Sequence, residues 1–213
     1  MAHRSESTRR SILEAAARAF RRRGFHRTTM RDIAAECDMA VGNLYHHFKN
    51  KQALLLYLQE HTLDQLQSRA EAINALAMRP DTRLFLLITN HIRCLNHDSP
   101  GAVAHVEVDD LDETERPAVV ARRRAYEARF HRLIGEGIGL GILRPTDVKV
   151  ATFALLGAMN HTTRWYRPEG RLGARAIGIQ FAEMLVAGLL ADGQTLAVPS
   201  PELIERDFSA AAE

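Results

Sequence analysis

Residues 28–51 read Thr28-Thr29-Met30-Arg31-Asp32-Ile33-Ala34-Ala35-Glu36-Cys37-Asp38-Met39-Ala40-Val41-Gly42-Asn43-Leu44-Tyr45-His46-His47-Phe48-Lys49-Asn50-Lys51. Thr29 with Asp32 three residues on has the spacing of a capping box, in which a hydroxyl and a carboxylate satisfy orphan N–H groups at a helix start. From there Met30, Ile33, Ala34 and Cys37 recur every three or four residues, which predicts a short helix. Asp38-Met39-Ala40 supplies a tight turn, and a further helix follows from Val41 to Phe48 with Leu44 and Phe48 on its inner face. Two short helices so joined, the second with polar residues outward, form a helix-turn-helix whose second helix enters the major groove of DNA.

The residues divide by role. Met30, Ile33, Ala34, Met39, Leu44 and Phe48 hold the helices together. Thr28 or Thr29, at a helix N-terminus, offers a hydroxyl and free amide N–H groups to a phosphate oxygen. Val41, Gly42, Asn43 and His46 face outward where base edges are in reach: Asn43 suits the bidentate pair with adenine, Val41 a thymine methyl, and Gly42 close backbone approach. Tyr45, His47 and Lys51 lie where flanking phosphates pass. His46 and His47 taken as a metal pair point about 100° apart on a helix and share an ion poorly.

Working outward, a helix runs from about Thr8 to Arg23, with Ile12, Ala15, Ala16, Ala19 and Phe20 on one face and Gly24 closing it. Asn50 can cap a long fourth helix through Leu54, Leu58, Leu66, Ile73 and Leu76. Arg79-Pro80 ends it, and Asp81 is the candidate cap of a fifth helix, Thr82 to Leu95. A short sixth is expected from Gly101 to Val108, an acidic loop from Glu107 to Glu115, and a seventh helix from near Pro117 to Gly139. The eighth spans about Asp147 to Tyr166 and the ninth about Leu172 to Leu190; the tail from Asp192, with Pro199 and Pro201, reads as irregular. No stretch alternates as a strand does. The expected fold is all-α: a three-helix helix-turn-helix DNA-binding domain at 1–51, linked by helix four to a six-helix ligand-binding and dimerisation domain at 52–191, then a tail at 192–213.

The formal charge of +2 would set nucleic acid aside if it were spread evenly. It is not. Residues 1–51 hold eleven Lys and Arg against five Asp and Glu, a surplus of six; residues 52–213 hold seventeen against twenty-one. Two cysteines, Cys37 and Cys94, make no disulfide framework and have no zinc-finger spacing, and Met1 to Glu6 lack the apolar core of a signal peptide; both point to a reducing cytoplasm, away from membranes.

The runs Thr29-Met30-Arg31-Asp32-Ile33-Ala34 and Asn43-Leu44-Tyr45-His46-His47-Phe48-Lys49-Asn50-Lys51 resemble the DNA-binding domain of the tetracycline-repressor (TetR) family. The resemblance is specific over Ile12 to Leu58, and the nine-helix pattern extends it loosely over the rest. It implies a homodimeric bacterial repressor on a double-stranded operator, whose body binds a small molecule that lowers DNA affinity, with no cofactor. It also implies phosphate contacts from Tyr45, His47 and Lys51, and base contacts from Val41, Gly42, Asn43 and His46. Two positions depart from the pattern: Asp38 stands where the family has glycine, and Ala40 where it has a capping Ser or Thr.

In the body, Val150, Phe153, Ala154, Gly157, Ala158 and His161 form one stripe, and Ile177, Phe181, Met184 and Gly188 another. The family pairs its last two helices across the dimer, which implies interface roles for Phe153, Gly157, His161, Ile177, Phe181, Met184 and Gly188; an intramolecular core is the alternative. The segment Arg164-Trp165-Tyr166-Arg167-Pro168 resembles one found in family members that sense acyl-CoA thioesters, and implies such an effector with guanidinium partners among Arg164, Arg167 and Arg122 to Arg124. Steroid-thioester sensors carry Arg and Trp where Leu156 and Asn160 stand here. Phe85, His91, Tyr126, Phe130, Asn160 and Arg164 are the candidate effector residues. His91, His105, His131 and His161 with Cys94 and Glu107 also allow a transition-metal site, against which they read as ordinary core or surface residues, and no metal is assigned.

The competing readings are an enzyme or metal-binding helical protein with an incidental helix-turn-helix, or a non-specific architectural DNA binder. The chain has no GxSxG, HExxH or phosphate-cradling loop, and Gly135 to Gly141 end a helix with no strand before them. An architectural protein would spread its positive charge more widely.

Overall fold

The computed structural model describes residues 2–99 and 108–208, and nine α-helices form among them. α1 (Ala2–Arg23) stops where Gly24 turns left-handed and donates its N–H to Phe20 O. α2 (Met30–Glu36) starts on the expected capping box: Thr29 Oγ1 accepts from the Asp32 N–H at 3.2 Å and Asp32 Oδ2 from the Thr29 N–H at 2.8 Å. It ends in a Schellman turn, in which the Asp38 and Met39 N–H groups donate back to Ala35 O and Ala34 O. Asp38 takes φ 52°, the one non-glycine residue with positive φ among those described. α3 (Val41–His47) follows, and its N-cap Ala40 makes no side-chain hydrogen bond. Asp38→Gly and Ala40→Ser should therefore each add about 1 kcal/mol of stability, read in denaturant melts.

α4 (Lys51–Asn74) is capped by Asn50, whose Oδ1 accepts from the Ala53 N–H at 2.7 Å. The chain clusters into two compact units, residues 1–63 with 99–121 and residues 64–98 with 122–213, and α4 contributes to both. The reason is burial: Leu54, Leu55, Leu58 and Leu63 of α4, with Leu111 and Val119, complete the core begun by Ile12, Phe20, Ile33 and Leu44.

The second unit is built on α5 (Pro80–Arg93), of which every residue except Arg83 and Arg93 is buried. A helix buried on nearly all sides, its polar side chains included, sits at the centre of its unit. Pro80 at its first position opens it, so Asp81 is not the cap expected; it lies fully buried in the first turn, accepting from Arg79 and from the Ala197 N–H at 3.2 Å. The helix then widens into a π turn, Cys94–Asp98, whose Asn96 Nδ2 donates to Thr162 Oγ1 at 2.7 Å. α6 (Arg116–Gly139), α7 (Val148–Trp165, capped by Asp147) and α8 (Ala174–Ala187) agree with the expected helices seven to nine within a few residues. The expected helix from Gly101 to Val108 lies outside the described residues, apart from Val108, which begins a 3-10 turn.

The tail has no regular element from Asp192 to Ser200, but one short helix follows. α9 (Pro201–Glu205) forms behind an N-capping Ser200, with Ile204 and Phe208 buried at 8% and 1% exposure. Apolar side chains spaced one turn apart, together with the Arg175–Glu205 pair, give this segment reason to dock. Among the described residues no helix is long and apolar enough to cross a membrane.

Candidate DNA-binding and effector sites

α3 stands on Leu44, which has no exposure, and carries Gly42, Asn43, Tyr45 and His46 outward; His47 is half-buried. Val41 is half-buried against the core, so packing claims part of the side chain expected at a thymine methyl. Thr29 is exposed, its hydroxyl donating to Asp32. That hydrogen bond, with the Thr29 backbone N–H and Arg23, holds the Asp32 carboxyl below its ordinary range and keeps the cap charged.

Thr28 must be corrected. It is 1% exposed, and its hydroxyl donates to Gly24 O at 2.8 Å, clamping the α1–α2 link with its proton already spent. Lys51 is more tightly held than its spacing suggests: Nζ donates to Phe25 O at 2.7 Å and lies 4.2 Å from the Phe25 ring centroid. Its charge is anchored in the loop after α1.

In the second unit the sequence candidates converge on His91. His91 Nε2 donates to Asn160 Oδ1 at 3.1 Å, leaving Nδ1 to accept from the Tyr126 hydroxyl at 3.0 Å; Phe130 meets both rings edge-on. With both ring nitrogens engaged, this histidine is a connector between α5, α6 and α7. Phe85 is likewise fully buried. Burial lowers the His91 pKa to about 4, raises the Cys94 thiol to about 12 and raises the Tyr126 phenol, so all three are neutral at physiological pH. Arg164 is corrected: it is exposed at the end of α7 and does not join this group. Its neighbours behave as a helix terminus, with Tyr166 buried, Trp165 against Phe181 at 6.2 Å, and Arg167 Nη1 donating to Tyr166 O.

An unfolded histidine titrates near 6.5 and folded His91 near 4, so between those values the unfolded chain binds the extra proton. Stability should therefore fall, on the order of 3 kcal/mol, as pH drops from 6.5 to 4. Melts across that range check it; His91→Gln, which cannot titrate, should flatten the slope.

His131 and His161 are exposed, His105 and Glu107 lie outside the described residues, and no group of metal-ligating side chains forms among those described. Of the proposed interface residues, Phe153 (49% exposed) and Met184 (62%) show large apolar surface, joined by Val150 at 64%. Gly157, His161 and Gly188 are also exposed and Phe181 is half-buried. Ile177 is the exception: at 6% exposure it faces the protomer's own core. Sequence reasoning missed Gly178, where an added Cβ would lie 2.9 Å from Thr89 O on α5, and the buried Arg69 of α4. A glycine within an apolar helix was the available signal for the first; Arg69 gave none.

Residues 12–58 match the model for bacterial regulatory proteins of the tetR family, and residues 77–189 that for tetracyclin repressor-like C-terminal domains. The HTH-type transcriptional repressor KstR2 of Mycobacterium tuberculosis is 31% identical over 195 residues, 88% of this chain and 95% of the relative. The structure of that ketosteroid transcriptional regulator superposes with a TM-score of 0.80, covering 86% and 95% of the two chains. The fatty acid metabolism regulator protein of Bacillus subtilis is 25% identical, across 84% and 93%. AibR, solved in complex with isovaleryl coenzyme A and operator DNA, superposes with a TM-score of 0.73 at 28% identity, across 86% and 98%. With both its halves matched and its helix-turn-helix built as the motif requires, the chain belongs to the tetR family of bacterial regulatory proteins and is a DNA-binding transcriptional repressor.

Proposed function

We propose that the protein holds an inverted-repeat operator as a homodimer and releases it when an acyl-CoA thioester enters the body. The observation that carries the DNA half is the exposed face of α3, Gly42, Asn43, Tyr45 and His46, set on buried Leu44 in a head with six surplus positive charges. Asn43 reads a base, Gly42 lets the backbone approach, and Tyr45, His46 and His47 flank them; Thr29 and Lys51 order the loops that present α3, Lys51 adding its charge toward phosphate. Two such heads about 34–36 Å apart meet successive major grooves on one face of the duplex. Phe153, Gly157, His161, Phe181, Met184 and Gly188, with Val150, supply the surface that joins the protomers.

The effector class is supported by AibR with its isovaleryl coenzyme A and by the fatty acid regulator of Bacillus subtilis. The effector lies among Phe85, His91, Tyr126, Phe130 and Asn160, where aromatic walls take an acyl chain and neutral polar groups its oxygens. The protein works in the cytoplasm, by binding and not by catalysis.

A gel shift tests this. Saturable, salt-sensitive binding to an inverted repeat flanking the gene is expected, with release on adding isovaleryl-CoA or longer acyl-CoAs. Equal affinity for random duplex would favour an architectural DNA binder. Asn43→Ala should weaken discrimination at one base step, by about 1–3 kcal/mol.

A further inference from the structure

Much of the positive charge in the head is already engaged. Among the described side chains Arg10 pairs with Glu14, Arg18 and Arg22 both meet Glu36, and Arg23 pairs with Asp32. Four guanidinium groups of α1 thus answer three carboxylates of the same unit, and charge neutralised in place does little to attract a polyanion. Arg9, Arg27, Arg31 and Lys49 are different: all four are exposed, and none takes part in an ion pair among the described residues.

A second observation separates these four. Lys51 Nζ donates to Phe25 O at 2.7 Å and lies 3.4 Å from His26 O, which fastens the start of α4 to the loop after α1. The joint is well backed. Phe25 is 3% exposed, meets Phe20 edge-on and sets its ring 4.2 Å from the ammonium, while His26 Nε2 is 2.8 Å from Asp110 Oδ1. Arg27 follows His26 directly, and Lys49 precedes Lys51 by two residues just past the end of α3, so the joint brings these two cations together. Arg9, over the Tyr57 ring at 5.9 Å, and Arg31, on α2, do not adjoin it in the chain. Lys51 itself is committed to carbonyl oxygens and a ring face.

We propose that Arg27 and Lys49 grip the phosphates of the operator at this joint, and that Lys51 is the positioning residue between them. This rests on the operator reading above. The Arg27 fork suits two phosphate oxygens and the Lys49 ammonium acts as a point charge, and neither contact carries sequence information. The test is a salt series of binding titrations, on an inverted-repeat operator and on random duplex. It compares full-length wild type with Arg27→Gln, Lys49→Gln, Lys51→Gln and Arg18→Gln, each first checked for a cooperative melt. One phosphate contact is worth about 0.9 in the slope of log affinity against log salt, and a dimer carries each residue twice. The slope should therefore fall by about two in Arg27→Gln and again in Lys49→Gln, with operator and random duplex weakened alike. Arg18→Gln, which removes an equal charge from a paired position, should keep the wild-type slope. A wild-type slope in either Arg27→Gln or Lys49→Gln, or an equal fall in Arg18→Gln, overturns the proposal, and a fall in Lys51→Gln alone returns the phosphate to Lys51. If wild type does not prefer the inverted repeat to random duplex, the operator reading falls, while the slopes on random duplex still decide which residues hold phosphate.

Discussion

Gly157→Arg is expected to yield a folded monomer that has lost its operator. An added Cβ at this position meets nothing within 4 Å, and the residue is exposed on α7. Within one protomer the substitution even favours the helix, since glycine in a helix interior is about 1 kcal/mol worse than an ordinary residue. Across a two-fold interface it sets two guanidinium groups where Phe153 and Met184 need an apolar partner, at a desolvation cost of several kcal/mol. A single head on one half-site then loses the advantage of linkage, commonly about 10²–10⁴ in affinity. Light scattering should report a monomer with an unchanged melt, and gel shifts a loss of about 100-fold or more. A variant that stays dimeric would refute the placing of the interface.

Gly178→Val should do the reverse, sparing the surface and breaking the protomer. Here the added Cβ would lie 2.9 Å from Thr89 O and 3.1 Å from Thr89 Cα, both backbone atoms of the central helix α5. Backbone cannot swing aside as a side-chain tip does, so α8 must separate from α5 and open the packing between the two helices. The expected loss is about 3 kcal/mol, enough to lower the midpoint of thermal unfolding by several degrees. Gly178→Ala is the sharper probe: helix propensity predicts a gain and the clash predicts a loss, and the clash should win. A stable Ala variant would mean that α5 and α8 approach less closely.

These two glycines mark where sequence reading stops. Both sit in apolar helices among small residues, yet one faces open space and the other a neighbouring backbone. Features written within three or four residues were legible: the Thr29–Asp32 capping box, the Asn50 cap and the spacing that buries Leu44. Features that depend on distant partners were not. Thr28 looks like a helix-terminal phosphate ligand until the chain folds its hydroxyl onto Gly24 O, and Lys51 reaches a carbonyl twenty-six residues back. Ile177 and Met184, two turns apart, share one side of α8, yet one is 6% exposed and the other 62%, a difference along the helix that no local spacing encodes. Five of six effector candidates are buried or half-buried in the second unit, three of them gathered on His91, whereas Arg164, a candidate for its charge, stands in solvent.

The docked tail bears on how the molecule is made. Asp81 and Thr82, at the start of α5, complete their hydrogen bonding on Ala197, which follows them by 116 and 115 residues. During synthesis at roughly 5–20 residues per second, α5 therefore emerges several seconds before its buried aspartate finds that partner. Until then its first turn relies on Arg79 alone, and the central helix of the body waits, unfinished, for chain that has yet to leave the ribosome.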